Sequence, residues 1–370
     1  MDNRSTSVLI VAAGFSSRMG DFKPLMKMGG KTLIEHALNT FSTINTKHIV
    51  IITGHKSSEI EQYLEGRDIV FINNEHYGTT DMLHSVKLGM DYLNDKCDSV
   101  FIMPADVPLS TPFCAQEMRS LMQNKDAAIV KPTYKGRGGH PILIGSECFG
   151  HILGYAGEGG LKGALSSSQQ EISTLPLPVP GIVMDADTQQ SFELVRQMYS
   201  IRDIPSAELA MEILDWNDVG DSIRNHCGQV CRLAVSLAQL ANEKGFQQNM
   251  RLIQASALLH DVERKTGSNH AQKGCALLHR MGYPLVAAVV SEHMDISAEA
   301  LERMDERAIV YLADKLVQGD VRMRIESRLA MMHKKFSDDE GAVRSIKKRF
   351  DNARKVLNRL GINDEAALKL

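Results

Sequence analysis

The chain has 370 residues, 43% hydrophobic and 24% charged, with a formal net charge of −3. This composition is ordinary for globular protein. The weakly negative balance excludes a general nucleic-acid-wrapping role, and no apolar run reaches the roughly 18 residues of a membrane helix. The length predicts two domains at about 150 residues each. The six cysteines are scattered, and only Cys227 and Cys231 are close, at helical spacing. They read as reduced thiols of a cytoplasmic protein.

In chain order, VLIVAA (8–13), HIVIITG (48–54), DIVFINN (68–74) and SVFIMPAD (99–106) read as buried strands. Residues 31–42, 57–66 and 81–93 between them carry apolar positions three and four apart and read as helices. Such alternation predicts an α/β domain with a mostly parallel sheet, whose ligands bind beyond the carboxyl ends of the strands. After about Tyr199 the chain reads as helix, with stretches at 222–245, 249–265, 271–282, 285–295, 306–319 and 339–361. The organisation expected is an α/β domain over 1–200, a linker at 201–207 containing Pro205, and an all-α domain over 208–370. The tail 336–370 reads as a solvated charged helix.

Two groups of residues point to chemistry. After the first strand, Ala12, Ala13 and Gly14 leave backbone N–H groups open to phosphate oxygens. Arg18 can fork onto a phosphate, and Lys23 can follow a moving phosphoryl group as a point charge. Asp106, at the end of the fourth strand, is a natural Mg²⁺ carboxylate, with Asp187 as the second and Asp185 as its substitute. Asp187 also reads as a helix N-cap. In the helical half, His260-Asp261 end the apolar run ASALLHD, and Asp314 lies in IVYLADKL, both places where burial needs compensation. His226 and His293 lie on separate amphipathic helices, so a Mn, Fe, Ni, Zn or Mg site is expected within the helices.

VAAGFSSRMGDFKPL followed by GGKTLIEHAL, TDMLHSVKLG, MPADVPL, KGRGGHPILI, GEGGLKGAL and VMDADTQQSFEL resembles the nucleotidyltransferase family of the molybdenum cofactor cytidylyl- and guanylyltransferases. The motifs A-A-G and P-A-D are closer to the cytidylyl branch. The resemblance implies a Rossmann-like fold and Mg-dependent transfer of a cytidylyl group from CTP to a molybdopterin-type cofactor, releasing pyrophosphate. Catalysis would fall to Arg18, Lys23 and Asp106. Nucleotide contacts would come from Ala12, Ala13, Gly14, Ser17, Arg18, Lys23, Thr80, Asp81 and Ser85, and Asp106 and Asp187 would hold the metal. Gly139, His140 and Pro141 would lie toward the acceptor, with His140 not catalytic. Molybdoenzyme maturation proteins are the implied partners, and neither nucleic acid nor membrane is.

The order H…HD…H…H…D resembles the HD superfamily of metal-dependent phosphohydrolases, on LLHDVERK, NHAQKGCALL, SEHMD and YLADKL. It implies one or two divalent metals on His226, His260, Asp261, His270, His293 and Asp314, with Asp261 bridging, and a phosphate contact from Arg264. The chain reads HD-Val-Glu-Arg where many members read HD-Ile-Gly-Lys. Open beside this reading is a sugar- or alditol-phosphate nucleotidyltransferase whose helical domain senses a nucleotide.

Overall fold

The computed structural model describes residues 5–15, 22–267 and 269–362. The chain divides into two compact units, Met1–Ile201 and Arg202–Leu370.

The first unit is built on an eight-stranded sheet. Its main strands are β1 (Thr6–Val11), β2 (Thr46–Thr53), β3 (Val70–Asn73), β4 (Ser99–Pro104), β5 (Ile129–Tyr134), β6 (Ile142–Gly145) and β7 (Ile172–Pro176). Their spatial order is β7-β5-β6-β4-β1-β2-β3, with the short strand Arg137–Gly138 on β5. Strands β4, β1, β2 and β3 are mutually parallel, and β6 runs antiparallel to both neighbours. Apolar residues on both faces, such as Leu9, Ile10, Ile51 and Ile52, are fully buried, as expected of a sheet covered on two sides.

Helices α1 (Leu33–Asn39), α2 (Ser57–Tyr63), α3 (Met82–Leu93), α4 (Pro112–Lys125), α5 (Phe149–Gly154), α6 (Gly160–Ser166) and α7 (Gln189–Ile201) complete this unit. Helix α3 buries Val86, Met90 and Leu93 in one core with Leu9, Val50 and Ile102. The chain runs from β1 to β2 and β3 on one side, then returns to place β4 on the other side of β1. That reversal opens a crevice at the carboxyl ends of β1 and β4.

The second unit contains α8 (Ala207–Trp216), α9 (Asp221–Glu243), α10 (Met250–Leu259), α11 (His270–Arg280), α12 (Pro284–Glu292), α13 (Ala298–Arg303), α14 (Glu306–Lys315), α15 (Ile325–Lys335) and α16 (Glu340–Arg359). Helix α9 packs on α10 and α14, α11 on α12, and α14 on α16. Three sequence expectations differ from this arrangement. The expected helix over 249–265 stops at Leu259, because His260 caps it and the chain turns. The one over 306–319 stops at Lys315 and passes into a small hairpin, Val317–Gln318 with Val321–Arg322. The tail helix is not a solvated rod: α16 buries Ile346, Phe350, Ala353, Val356 and Leu357, an apolar stripe at three- and four-residue spacing beneath its charges.

No described helix is long and apolar enough to cross a membrane.

Candidate functional sites

Register sets the first site. Val11 pairs with Pro104 and with Ile52, and Thr53 pairs with Asn73, so four strands end at one edge. Backbone bonds tie the loops that follow: Ala12 N donates to Ile52 O at 2.8 Å, Ala105 N to Val11 O at 3.0 Å, and Asn74 N to Thr53 O at 2.8 Å. The resulting cavity, about 240 Å³, brings together Ala12, Ala13, Gly14, Lys23, Thr80, Asp81, Ser85 and Asp106. Asn74 and Tyr77 also line it. The buried Asn74 amide donates to Thr80 Oγ1 at 3.2 Å and Ser85 Oγ at 3.0 Å, fixing the rim on the α3 side. Asp81 caps α3 by accepting from His84 N at 3.1 Å. Ser17 and Arg18 lie outside the described residues.

At the mouth, the Lys23 ammonium donates to Asp106 Oδ2 at 3.1 Å and to Asp187 Oδ1 at 2.7 Å. The loop carrying Asp187 is held there by Ala186 N donating to Asp106 O at 2.9 Å. The N-cap of α7 is Thr188, whose Oγ1 accepts from Ser191 N at 3.1 Å while Ser191 Oγ accepts from Thr188 N at 3.0 Å. Asp187 is thereby left to face the lysine; Asp185 is exposed. Burial pushes the Asp106 carboxyl above its ordinary range, against the pull of Lys23. Burial works down on Lys23, but its two carboxylates outweigh it and the net shift is upward. Two carboxylates already converging on one cation fit a Mg²⁺ that takes one or two protein oxygens beside phosphates.

Gly139 and His140 sit against the segment Pro180–Val183, with His140 N donating to Ile182 O at 2.9 Å. They do not line the nucleotide-sized cavity. Burial lowers the His140 imidazole to about 4, so it is neutral near pH 7.

The second site is assembled at helix ends. His226 comes from α9, His260 and His293 immediately follow α10 and α12, His270 opens α11, and Asp314 lies in the last turn of α14. Each imidazole is anchored through Nδ1 to a backbone carbonyl. The partners are Gly319 O at 2.9 Å for His226, Ala257 O at 2.9 Å for His260, Gly267 O at 2.8 Å for His270, and Val290 O at 2.7 Å for His293. For His260 and His293 these are carbonyls three residues back, in the last turn of the helix, and Val290 O accepts from His293 N as well. A carbonyl only accepts, so Nδ1 carries the proton and Nε2 of each neutral ring is a bare lone pair.

Those lone pairs face one another. His226 and His260 Nε2 are 3.3 Å apart, and His270 and His293 Nε2 are 3.0 Å apart. Asp261 divides its oxygens between the pairs. Oδ2 lies 3.6 Å from His260 and 3.9 Å from His226, while Oδ1 lies 3.1 Å from His270 and 3.5 Å from His293. Asp314 Oδ1 adds to the first group, 3.3 Å from His226. Asp261 Oδ1 is buried and has no hydrogen-bond donor among the described residues. Lone pairs held this close in a buried site need a cation between them. The two groups of three, His226–His260–Asp261 and Asp261–His270–His293, fit a pair of divalent metals sharing one carboxylate. Burial lowers the His260 imidazole to about 4, which keeps its lone pair available.

Two cations complete the wall. Arg264 Nη1 donates to His270 Nε2 at 3.0 Å, and Lys315 Nζ donates to Asp314 Oδ2 at 2.6 Å and to His293 O at 2.9 Å. Glu263 has φ −105°, a conformation open to any residue, so the turn needs no glycine there.

Residues 8–172 match the model of the MobA-like NTP transferase domain, and residues 206–318 match that of the HD domain. The chain joins a MobA-like NTP transferase domain to an HD domain. The bifunctional protein GlmU of Francisella tularensis subsp. novicida is 33% identical over 126 residues, which cover 34% of this chain and 27% of that relative. The chain thus spans about a quarter of the length of such curated relatives. Among solved structures, Rv0371c from Mycobacterium tuberculosis is 19% identical, with 53% of this chain and 99% of that one covered at a TM-score of 0.46. A nucleotidyl transferase from Methanothermobacter, Mth528, is 18% identical over 54% and 99%, also at 0.46.

The transferase domain gathers every described residue expected at its nucleotide, and the HD domain gathers all six expected ligands with Arg264. Sequence reasoning missed Asn74 and Tyr77 in the first domain, although Asn74 ends the predicted strand DIVFINN. In the second it missed Lys315 and the residues of α15 and α16 that line the metal cavity.

Proposed function

We propose that the chain is a bifunctional cytoplasmic enzyme. Its transferase domain, over 1–200, moves a cytidylyl group from CTP to a molybdopterin-type cofactor with release of pyrophosphate. Its HD domain, over 208–370, hydrolyses a phosphate ester. The observation that carries the first activity is the Lys23 ammonium shared by Asp106 and Asp187 beside the bare backbone of Ala12–Gly14. Attack of an acceptor phosphate on the α-phosphorus needs no covalent protein nucleophile. It needs cations where charge builds up and a rigid frame for in-line approach. The amides of Ala12–Gly14 would receive phosphate oxygens, with Lys23 and Arg18 neutralising them. Asp106 and Asp187 would hold Mg²⁺, which supplies charge neutralisation at the phosphates. The buried Asn74 and Ser85, joined by hydrogen bonds to the half-buried Thr80 in one rim, suit recognition of the base. The choice of CTP rests on the motifs, where Ala13 and Ala105 stand in the positions that carry glycine in the guanylyl branch.

In the HD domain, His226, His260, Asp261 and Asp314 would hold one metal, and Asp261, His270 and His293 a second. Such a pair supplies a hydroxide near neutral pH and a clamp on phosphate. The chain's own part is to fix each imidazole through its carbonyl anchor, to neutralise the outer oxygen of Asp314 with Lys315, and to offer Arg264 to the substrate. The complete ligand set favours hydrolysis over nucleotide sensing alone. The six free cysteines support a reducing, cytoplasmic setting.

The test is pyrophosphate release with CTP, GTP, UTP or ATP, each with Mg²⁺ and molybdopterin. CTP is expected to be preferred at least tenfold, and Asp106→Ala to abolish turnover. Unchanged activity in that variant refutes the assignment.

A further inference from the structure

Three loops leave the carboxyl edge of the sheet beside the nucleotide cavity, and each sends one ring to the same place. Phe15 lies in the loop after β1, His55 in the loop after β2, and Tyr77 between β3 and α3. Ring centroids are 4.8 Å apart for Phe15 and Tyr77, 5.6 Å for Phe15 and His55, and 6.0 Å for His55 and Tyr77. A fourth ring, Phe22, meets His55 edge-on at 5.9 Å. These separations lie in the roughly 4.5–7 Å range over which aromatic rings attract.

The chain neighbours of these rings are parts of the transferase site. Gly14 precedes Phe15, Lys23 follows Phe22, and Tyr77 is itself in the cavity wall. His55 thus ties the chain just after the open amides to the chain just before Lys23, and Phe15 joins both to the base-side wall. The backbone is fitted to this cluster. Gly78 has no side chain where the Phe15 ring rests, and a Cβ there would stand 3.2 Å from Phe15 Cζ. Gly54 lets Ala13 and Tyr77 close up in the same way. Phe15 is 49% exposed, so it buries little surface for the fold, and its place is explained by what it connects.

We infer that Phe15 and His55 are positioning residues of the transferase domain. They lock the triphosphate half of its site, Ala12–Gly14 and Lys23, to the base half at Tyr77, so that a nucleotide spanning both is gripped by one rigid frame. This rests on the transferase reading above. Two half-sites held at a fixed separation meet a linked ligand at high effective concentration, and that gain is lost once the separation can vary. Neither half needs the cluster to bind its own fragment of the nucleotide.

The full chain, carrying Asp261→Asn to take the HD centre out of nucleotide binding, is titrated with CTP and Mg²⁺ by calorimetry. Cytidine and inorganic triphosphate are then measured by displacement of the bound CTP. Phe15→Ala is expected to weaken CTP about tenfold, the size of two lost ring contacts, and to leave both fragments within twofold of the parent. In the pyrophosphate assay above its kcat is expected to fall about tenfold, as the α-phosphorus loses alignment. His55→Ala is expected to behave alike, whereas Phe15→Tyr and His55→Phe, which keep a ring, restore parental values. A merely structural role would weaken CTP and both fragments together and would lower Tm. That pattern, or parental CTP affinity and kcat in both folded alanine variants, overturns the inference. If CTP binds but no nucleotide turns over, the transferase reading falls, and the pattern of affinities still decides the inference. If CTP does not bind, both fall.

Discussion

Replacing Lys23 by methionine separates a catalytic lysine from a merely structural one. The ammonium lies 3.1 Å from Asp106 and 2.7 Å from Asp187. At an effective dielectric of about 20, each attraction is about 5–6 kcal/mol before desolvation. The Asp187 side chain is 51% exposed, so solvent screens its share heavily, and burial of Lys23 and Asp106 offsets much of the rest. A net of about 2 kcal/mol remains, which a Mg²⁺ binding between the carboxylates must displace. Methionine removes that competitor, so the nucleotide-free protein is expected to bind Mg²⁺ about 10- to 30-fold more tightly. Turnover is expected to move the opposite way. Losing one cation aimed at developing phosphate charge costs about 10²–10³ in kcat. Calorimetry with Mg²⁺, in a background carrying Asp261→Asn to disable the HD centre, reads the first quantity, and pyrophosphate release in the otherwise wild-type chain reads the second. If affinity and turnover fall together, or neither changes, the reasoning is refuted.

The other predictions address metal, backbone and pH. His260→Ala and His270→Ala are each expected to cost one of two bound metals by elemental analysis, whereas Asp261→Asn costs both; equal losses in all three would contradict a bridging carboxylate. Gly54→Ala would place a Cβ 2.7 Å from Ala13 O and 2.8 Å from Tyr77 Cβ, so it should push the nucleotide loop outward. A stability loss of about 1–3 kcal/mol and weaker CTP binding are expected from thermal and nucleotide titrations. Burial would raise the pKa of Glu35, but bonds from Thr32, Tyr63 and Arg67 outweigh it and lower it to about 2. A depressed carboxyl stabilises the fold above its unfolded pKa, and that contribution is lost as pH falls through the folded value. Glu35→Gln should therefore cost about 1–2 kcal/mol at pH 7, after allowance for screening, in a gap that closes between about pH 4.5 and 2.

Legibility in the sequence followed how completely one physical rule controlled each segment. Strands β1 and β4 and the second half of β2 are buried, the edge strand β3 is half-buried, and all four read as plain apolar runs; the rule that ligands gather at their carboxyl ends located Ala12–Gly14 and Asp106. Strands β5 and β7 contain Pro132 and Pro176, which break the apolar run that reveals a strand. The same carboxyl-end rule applied to DIVFINN would have found Asn74. Asp187 had two readings, and only the Thr188–Ser191 cap, a matter of side-chain geometry, separates them. In the HD domain His260-Asp261 were legible as a polar pair ending an apolar run and Asp314 as a carboxylate within one, whereas His270 was legible only through the family resemblance. Their pairing through Asp261 was not, because it depends on which nitrogen each carbonyl anchor leaves bare. Helix α16 was obscured by its own charge: Arg344, Lys347, Lys348 and Lys355 dominate its composition, while Ile346, Phe350 and Ala353 make the stripe that packs.

The most direct test of the central claim is the structure of the protein soaked with CTP and Mg²⁺. The triphosphate is expected along Ala12–Gly14 and Lys23, the metal on Asp106 and Asp187, and the base beside Asn74, Thr80 and Ser85. A nucleotide bound elsewhere, with that crevice unchanged, would contradict it.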